Sequence, residues 1–442
     1  MSAALSLPGA TAGDAVPTLA GLAAAAAVLV VLARAAPRSR AAARPAREPG
    51  QRIAAAGPAG PGGPAAARAT AAPPDIAAAQ GTAGDRAPAD RRRFLIAGAG
   101  AAALAAGCGG LGGALLGRFS VSSLRGQVRL PAPAVPAPAV PAGTSLRLAG
   151  LTPFFTPNAS FYRVDIDLAL PQVPPDTWTL RIDGMVGREI ELTFADLLRM
   201  PLTEADITLV CVSDEVGGPY AGNARWLGVP LAGLLRRARI KAGADQVLSA
   251  AADGMTISTP LDAVLDGRPA LLAVGMNGQP LPVAHGFPAR MVVPGLYGYT
   301  SATKWVTRLT ATTFAARPAY WTQRGYAAQA PIKTESRIDV PKPFARLSAG
   351  PVAVAGVAWA PTRGIAAVEV SVDGGPWQRA RLAAADGPDT WRQWMWAWDA
   401  APGLHRLQVR ATDRTGATQT SRRAPPFPDG ASGWDSVVVT VA

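Results

Sequence analysis

Cysteine and histidine are nearly missing from this chain. Two of each occur in 442 residues: Cys108, Cys211, His285 and His405. Two cysteines cannot build a disulfide framework, and with no CxxC or CxxCH there is neither a zinc ribbon nor a c-type haem attachment site. Two histidines exclude a multi-histidine metal centre. From residue 118 onward neither GxGxxG nor GxxxxGK(S/T) occurs, so nicotinamide and P-loop nucleotide readings have no support. Aromatic residues are absent from the most basic stretch. Between Arg34 and Arg93 there are 11 arginines against four acids, Glu48, Asp75, Asp85 and Asp90. A nucleic-acid-binding face interleaves basic and aromatic residues on a folded surface. Here apolar runs flank a charge block without rings, so membrane topology accounts for the charge and no nucleic-acid partner is expected.

Two long uncharged runs are present. Residues 15–33 span 19 positions and are followed, not preceded, by arginines; at ~1.5 Å per residue such a run just crosses a bilayer core. The positive-inside rule puts its N-terminus outside. The expected order is a transmembrane helix over 1–36, then a disordered basic cytoplasmic linker over 37–90. A second transmembrane helix over 91–117 opens with Asp90-Arg91-Arg92-Arg93-Phe94-Leu95, similar to a twin-arginine signal. Residues 118–144 read as a semi-rigid Pro/Ala spacer. The remainder is then anchored to the cell membrane and lies on its extracytoplasmic side.

From about residue 145 charges, aromatics and turn signals recur. The pattern predicts a strand over 177–184, a helix over 193–199 capped by Thr193, and a helix over 231–238. Hairpins are predicted at Asp253-Gly254 and Asn277-Gly278. Mixed short helices and hairpins argue α+β for a domain over 145–340. After Pro343 short strands with regular turns, including the alternating Trp394, Trp396 and Trp398, predict an immunoglobulin-like β-sandwich over 341–442. His405 falls in one of those strands and reads as structural.

Three clusters carry chemistry. Cys211 follows a strand-like run, Ile207 to Val210, and precedes a Gly/Pro/Asn-rich loop that runs into Arg225-Trp226; it reads as a metal ligand, a nucleophile or a buried structural thiol. His285, Arg290 and Lys304, spaced by glycines and hydroxyls, form an anion cradle suited to a phosphate-bearing cofactor. Tyr320 to Tyr326 packs two tyrosines, a tryptophan and an arginine into seven residues, fit for a site wall or for packing between domains.

Together these segments resemble the sulfite oxidase family of molybdopterin-dependent oxidoreductases. The likeness runs in order through Phe161-Tyr162-Arg163, Pro175-Asp176-Thr177-Trp178, Cys211, Ala224-Arg225-Trp226, His285 to Arg290, Val293-Pro294-Gly295, Lys304-Trp305, Gln323-Arg324 with Tyr326, and the C-terminal β domain. The resemblance implies a molybdenum–molybdopterin cofactor with Cys211 as the metal ligand. Asn158, Tyr162, His285, Arg290 and Lys304 then contact the pterin and its phosphate. Arg163, Trp226 and Arg392 line the substrate pocket, and Tyr326 and Arg163 assist catalysis with Cys211.

The departures are as informative. Val212-Ser213-Asp214-Glu215 follows the cysteine where sulfite oxidases carry Ala-Gly-Asn-Arg-Arg, and Val164-Asp165 replaces Asn-His after the pocket arginine. A pocket that loses positive charge binds a dianion less well. The expected activity is oxygen-atom transfer on a small, anionic sulfur substrate, with electrons passed to a cytochrome or the membrane quinone pool. The alternatives are an S- or N-oxide reductase on the same cofactor and a non-catalytic membrane-tethered binding protein. A homodimer through the β domain or a monomer fits equally.

Overall fold

The Pro/Ala stretch after residue 118 does not stand free. It opens with helix α1 (Val121–Gln127), whose Val121 is buried. Arg125 donates to the carbonyls of Pro280 and Leu281. Farther on, the amides of Ala134 and Val135 reach Leu202 O, and Glu204 N reaches Val135 O. The expected spacer is therefore laid along the edge of a sheet. Its prolines lack amide donors, which suits a segment that covers an edge without extending the ladder. The structure is a computed structural model that describes Gly100, Gly107 and residues 121–442 apart from Leu168. The chain divides into two units, Met1–Arg118 and Phe119–Ala442, and all the sheets below lie in the second. The expected membrane segments at 15–33 and 94–117 lie outside the described residues, save for Gly100 and Gly107. Among the described residues no helix is long and apolar enough to cross a membrane.

Alternation builds the first strands. β1 (Thr179–Gly184) buries Leu180 and Ile182 and pairs antiparallel with β2 (Ile190–Thr193). Thr193 then caps α2 (Phe194–Arg199) in a capping box with Asp196, as the sequence predicts. β3 (Thr203–Val210) and β4 (Ala221–Pro230) form a long antiparallel pair, followed by α3 (Leu231–Ala238). A hairpin of β5 (Gln246–Ala251) and β6 (Thr256–Pro260) leads into α4 (Leu261–Leu265). β7 (Leu271–Met276) turns through Asn277 and Gly278, both at positive φ, into β8 (Gln279–Pro280). β9 (Arg290–Val292) and β10 (Val306–Thr312) complete the domain.

Two sheets result. One has the order β2-β1-β10-β5-β6 and the other β3-β4-β7-β8, with β9 added against β7. The main core contains Trp178 just before β1, Leu180 and Ile182 from the first sheet and Val229, Leu272 and Val274 from the second, closed by Leu197 of α2 and Leu234 of α3. A second cluster around Phe161, Ile207, Trp226 and Phe287 lies toward the cleft described below.

The C-terminal strands make two further sheets. β11 (Glu335–Val340), β12 (Arg346–Leu347), β13 (Gly350–Trp359) and β14 (Ile365–Val372) come first. β15 (Gln378–Arg379), β16 (Arg381–Leu382), β17 (Arg392–Ala400), β18 (Gly403–Asp413) and β19 (Asp435–Val441) follow. The orders are β11-β13-β17-β16 and β12-β19-β18-β14-β15. Val354, Trp394, Val370, Leu407 and Val439 pack between them, a two-layer sandwich. β11 already pairs with β13, so the sandwich begins before residue 341, where composition placed it. Trp391 turns away from its neighbours: its indole donates to Phe154 O and its amide to Thr208 Oγ1. His405 has both ring nitrogens engaged, by Asp373 and by Ala401 O.

Candidate active site

β3 delivers Cys211 to the floor of a cleft. The loop 211–220 closes on itself through Cys211 N to Tyr220 O, Asp214 N to Cys211 O and Tyr220 N to Asp214 Oδ1 at 2.7 Å. Gly217 and Gly218 are required by space, because a Cβ would meet Asp435 Oδ1 at 2.4 Å or Asp214 Oδ1 at 2.5 Å. The thiol is 8% exposed and accepts from Ser213 N at 3.4 Å. Burial pushes its pKa up and the Ser213 hydrogen bonds oppose that. Asp214 is also buried, and desolvation pushes its carboxyl to about 6. The loop beyond Tyr220 is not a loop: Arg225 and Trp226 lie on β4, paired with Asp206 and Ala205 of β3.

His285 ends a 3-10 turn (Val283–His285), and Arg290 starts β9. Gly286, at φ +104°, lets them converge on Lys304, for a Cβ there would lie 3.0 Å from Arg290 Cβ and from Lys304 Cα. His285 Nε2 sits 3.1 Å from Asn158 O. Burial and the Arg290 charge lower its pKa to about 4, so the ring is neutral at pH 7. Arg290 is 5% exposed. Its guanidinium donates to His285 O and Ala302 O and lies 5.1 Å above the Trp226 ring. It has no carboxylate partner among the described residues, and burial lowers its pKa to about 10.

Lys304 donates to Val164 O at 3.1 Å and contacts Asp165, whose other oxygen takes Arg163. Burial lowers the ammonium to about 7, and the nearby Arg163 charge lowers it further. Tyr162 stacks on Phe161. Burial raises its phenol, with Cys211 and Asp214 adding and Arg290 opposing. Tyr326 packs against Tyr299, Trp321 and Phe427.

Cys211, Tyr162, His285, Arg290, Lys304 and Tyr326 thus line one cleft. Four expected site residues do not. Asn158 spends its side chain on Met276 O and Asn277 and serves the cleft through its carbonyl. Arg163 is drawn out onto Asp165, two residues along, with its side chain 43% exposed. Trp226 is fully buried beneath Arg290, its indole donating to Ile207 O. Arg392 lies in the sandwich, spent on Ala383 O and Ile365 O. The sequence reading missed the hairpin residues Asp253, Met255 and Ile257 on the cleft wall, which only the turn at Asp253-Gly254 hinted at, and the Ser213 amide, a backbone donor without a side-chain signal.

Residues 167–321 match the family described as oxidoreductase molybdopterin binding domain. The chain is 33% identical over 288 residues to sulfite oxidase of Gallus gallus, covering 55% of this chain and 62% of that one. It is 35% identical over 149 residues to the uncharacterized oxidoreductase YuiH of Bacillus subtilis, covering 34% of this chain and 72% of that one. The chain spans about half the length of the mammalian sulfite oxidases it matches. Among solved structures it is similar to the sulfane dehydrogenase SoxCD of Paracoccus pantotrophus, with a TM-score of 0.58 at 26% identity over 66% of this chain and 84% of that one. A purely binding role is set aside by these relationships. The chain belongs to the molybdopterin-binding oxidoreductases of the sulfite oxidase family, enzymes that use a molybdenum–molybdopterin cofactor.

Proposed function

We propose that the chain catalyses oxygen-atom transfer on a small sulfur substrate. The carrying observation is one cleft that joins a single buried thiol to a buried guanidinium without an acid. That pair fits the cofactor: a thiolate is a soft donor for molybdenum, and an uncompensated buried cation is costly unless an anion arrives. When bound, the group supplies two-electron redox chemistry and exchange of an oxygen with water. Cys211 would hold the metal. His285, Arg290 and Lys304 would hold the pterin and its phosphate, with Asn158 fixing the His285 ring through its carbonyl and Trp226 supporting Arg290. Tyr162, kept protonated by burial, offers a hydrogen-bond donor and not a phenolate. Tyr326, on the cleft wall with no hydrogen bond from its hydroxyl among the described residues, is placed to donate to a substrate oxygen. An S- or N-oxide reductase is the second reading, favoured by the acids Asp165 and Asp253 on the cleft wall.

Electrons would leave to a cytochrome or the quinone pool. The uncharged runs at 15–33 and 94–117 support attachment to the membrane with the enzyme outside the cytoplasm. The C-terminal sandwich reads as immunoglobulin-like, and a homodimer through it is consistent with the fold. The test is molybdenum and pterin analysis of the purified protein beside Cys211→Ser. Loss of metal and of turnover by about two orders of magnitude or more is expected, beyond what a change around the ligands costs; a variant with full metal-dependent turnover overturns the assignment.

A further inference from the structure

The cleft carries little charge that a small anion could use. Of its lining cations, Arg290 is buried with its fork on backbone carbonyls, and Lys304 touches Asp165. Arg163, the cation the sequence offers for substrate, is held outside the lining by the same carboxylate. Arg392 is elsewhere. Two acids, Asp165 and Asp253, line the cleft. Most of its remaining wall is apolar or aromatic, Ile166, Met255, Trp321 and Tyr326 among others, with Ser213 and Thr303 as hydroxyls. Val164 and Ile166 stand 44% and 37% exposed there, an arrangement that water disfavours and an organic group would cover. Asp165 is the hinge of this pattern, since among the described residues of the cleft it pairs with two cations at once.

We propose that Asp165 is a specificity-determining residue, and that by holding Arg163 and Lys304 together it makes the cleft select an uncharged organic sulfur compound, a thioether or its S-oxide, over the sulfite dianion. The proposal rests on the sulfur oxygen-atom-transfer reading above. A dianion entering this opening meets two cations and two carboxylates that sum to no net charge, with Arg163 drawn away onto Asp165, so it gains little Coulomb energy for the hydration it loses. An uncharged sulfur compound loses little hydration and covers the exposed aliphatic and aromatic wall. In the reductive direction the S-oxide becomes the thioether and its oxygen leaves as water, taking two protons from solvent and two electrons from a membrane quinol, which is oxidised to the quinone.

The experiment uses purified holoenzyme of wild type, Asp165→Asn and Asp165→Glu. Sulfate binding is read by titration calorimetry. Turnover is read with sulfite and ferricyanide, and with methyl phenyl sulfoxide and reduced viologen. Wild type and Asp165→Glu are expected to bind sulfate only weakly and to favour the sulfoxide. Asp165→Asn is expected to bind sulfate about 10-fold tighter and to gain about 10-fold in kcat/KM for sulfite. Val164→Lys adds an unmatched cation at the exposed mouth without touching Asp165, and gives the same gain even where Asp165→Asn does not fold. Tight sulfate binding by wild type, or no gain in either variant, overturns the proposal. Sulfate calorimetry needs no turnover, so it decides the role of Asp165 separately. Missing molybdenum or missing activity on both substrates instead overturns the proposed function.

Discussion

Arg290 and Arg163 flank the same cleft and receive opposite treatment. Arg290 is buried, stacked on Trp226 and bonded to carbonyls, with no acid among the described residues. Arg163 is half in solvent and fastened to Asp165. An exposed cation beside a carboxylate is ordinary surface chemistry and contributes little. A buried cation without one is expensive to keep. The inner wall is thus incomplete until an anion binds, while the outer wall has balanced its own charge.

The sharpest way to break this contrast is Arg290→Met. Removing one partner of a buried, desolvated charge pair costs about 2–5 kcal/mol. The variant is expected to lose that much cofactor binding, measured as molybdenum and pterin content and as the rate of pterin release. Equal cofactor retention would mean the inner wall holds no anion.

A smaller effect follows from His285, the neutral neighbour of Arg290. Its folded pKa is depressed to about 4 from 6.5. Below pH 6.5 the unfolded chain takes up a proton that the folded chain refuses until about pH 4. Stability therefore falls with acidification across that window, by up to about 1.4 kcal/mol per pH unit. The raised carboxyls of Asp214 and Glu335 push the other way, so the measurement is a difference. Denaturant unfolding of wild type and His285→Gln at pH 7.5, 6, 5 and 4.5 should show the gap between them shift in favour of the variant as pH falls.

The smallest effect sharpens the outer wall. Arg392→Gln should cost about 1 kcal/mol of stability through its carbonyl bonds and leave kcat/KM within about twofold on any substrate. A large loss of activity would bring this arginine back to the cleft.

What could be read from sequence was what local chemistry decides. The Thr193 cap with Asp196, the Asn277-Gly278 turn and the helix over 231–238 are short-range, and each appears where expected. Cys211, His285, Arg290 and Lys304 were legible as chemistry and converge in one cleft. β4 was not legible, since Gly222, Asn223, Gly228 and Pro230 are poor strand formers. It is a strand because β3 and β7 pair with it on both sides, a tertiary decision. The chain from 121 to 144 misled for the same reason: Pro and Ala show no periodicity, and the sheet edge they cover is set by residues far along the chain. Arg163 and Arg392 were placed by resemblance, whereas a neighbouring carboxylate and two carbonyl groups decide where they point.

The Cys211 loop is braced from a distance. Arg337, on β11, donates to Gly218 O at 2.7 Å and to Thr152 Oγ1 at 3.0 Å. Asp435, on β19, fills the space that Gly217 leaves open, and Trp391 ties down Thr208 on β3. All three are synthesised after the thiol they steady. A growing chain thus emerges with its Cys211 loop formed in sequence but unbuttressed in space, until more than two hundred further residues have been added. Ribosomal order therefore acts as a clock on this loop: the contacts that brace Cys211 can form only once the far end of the sandwich has been made.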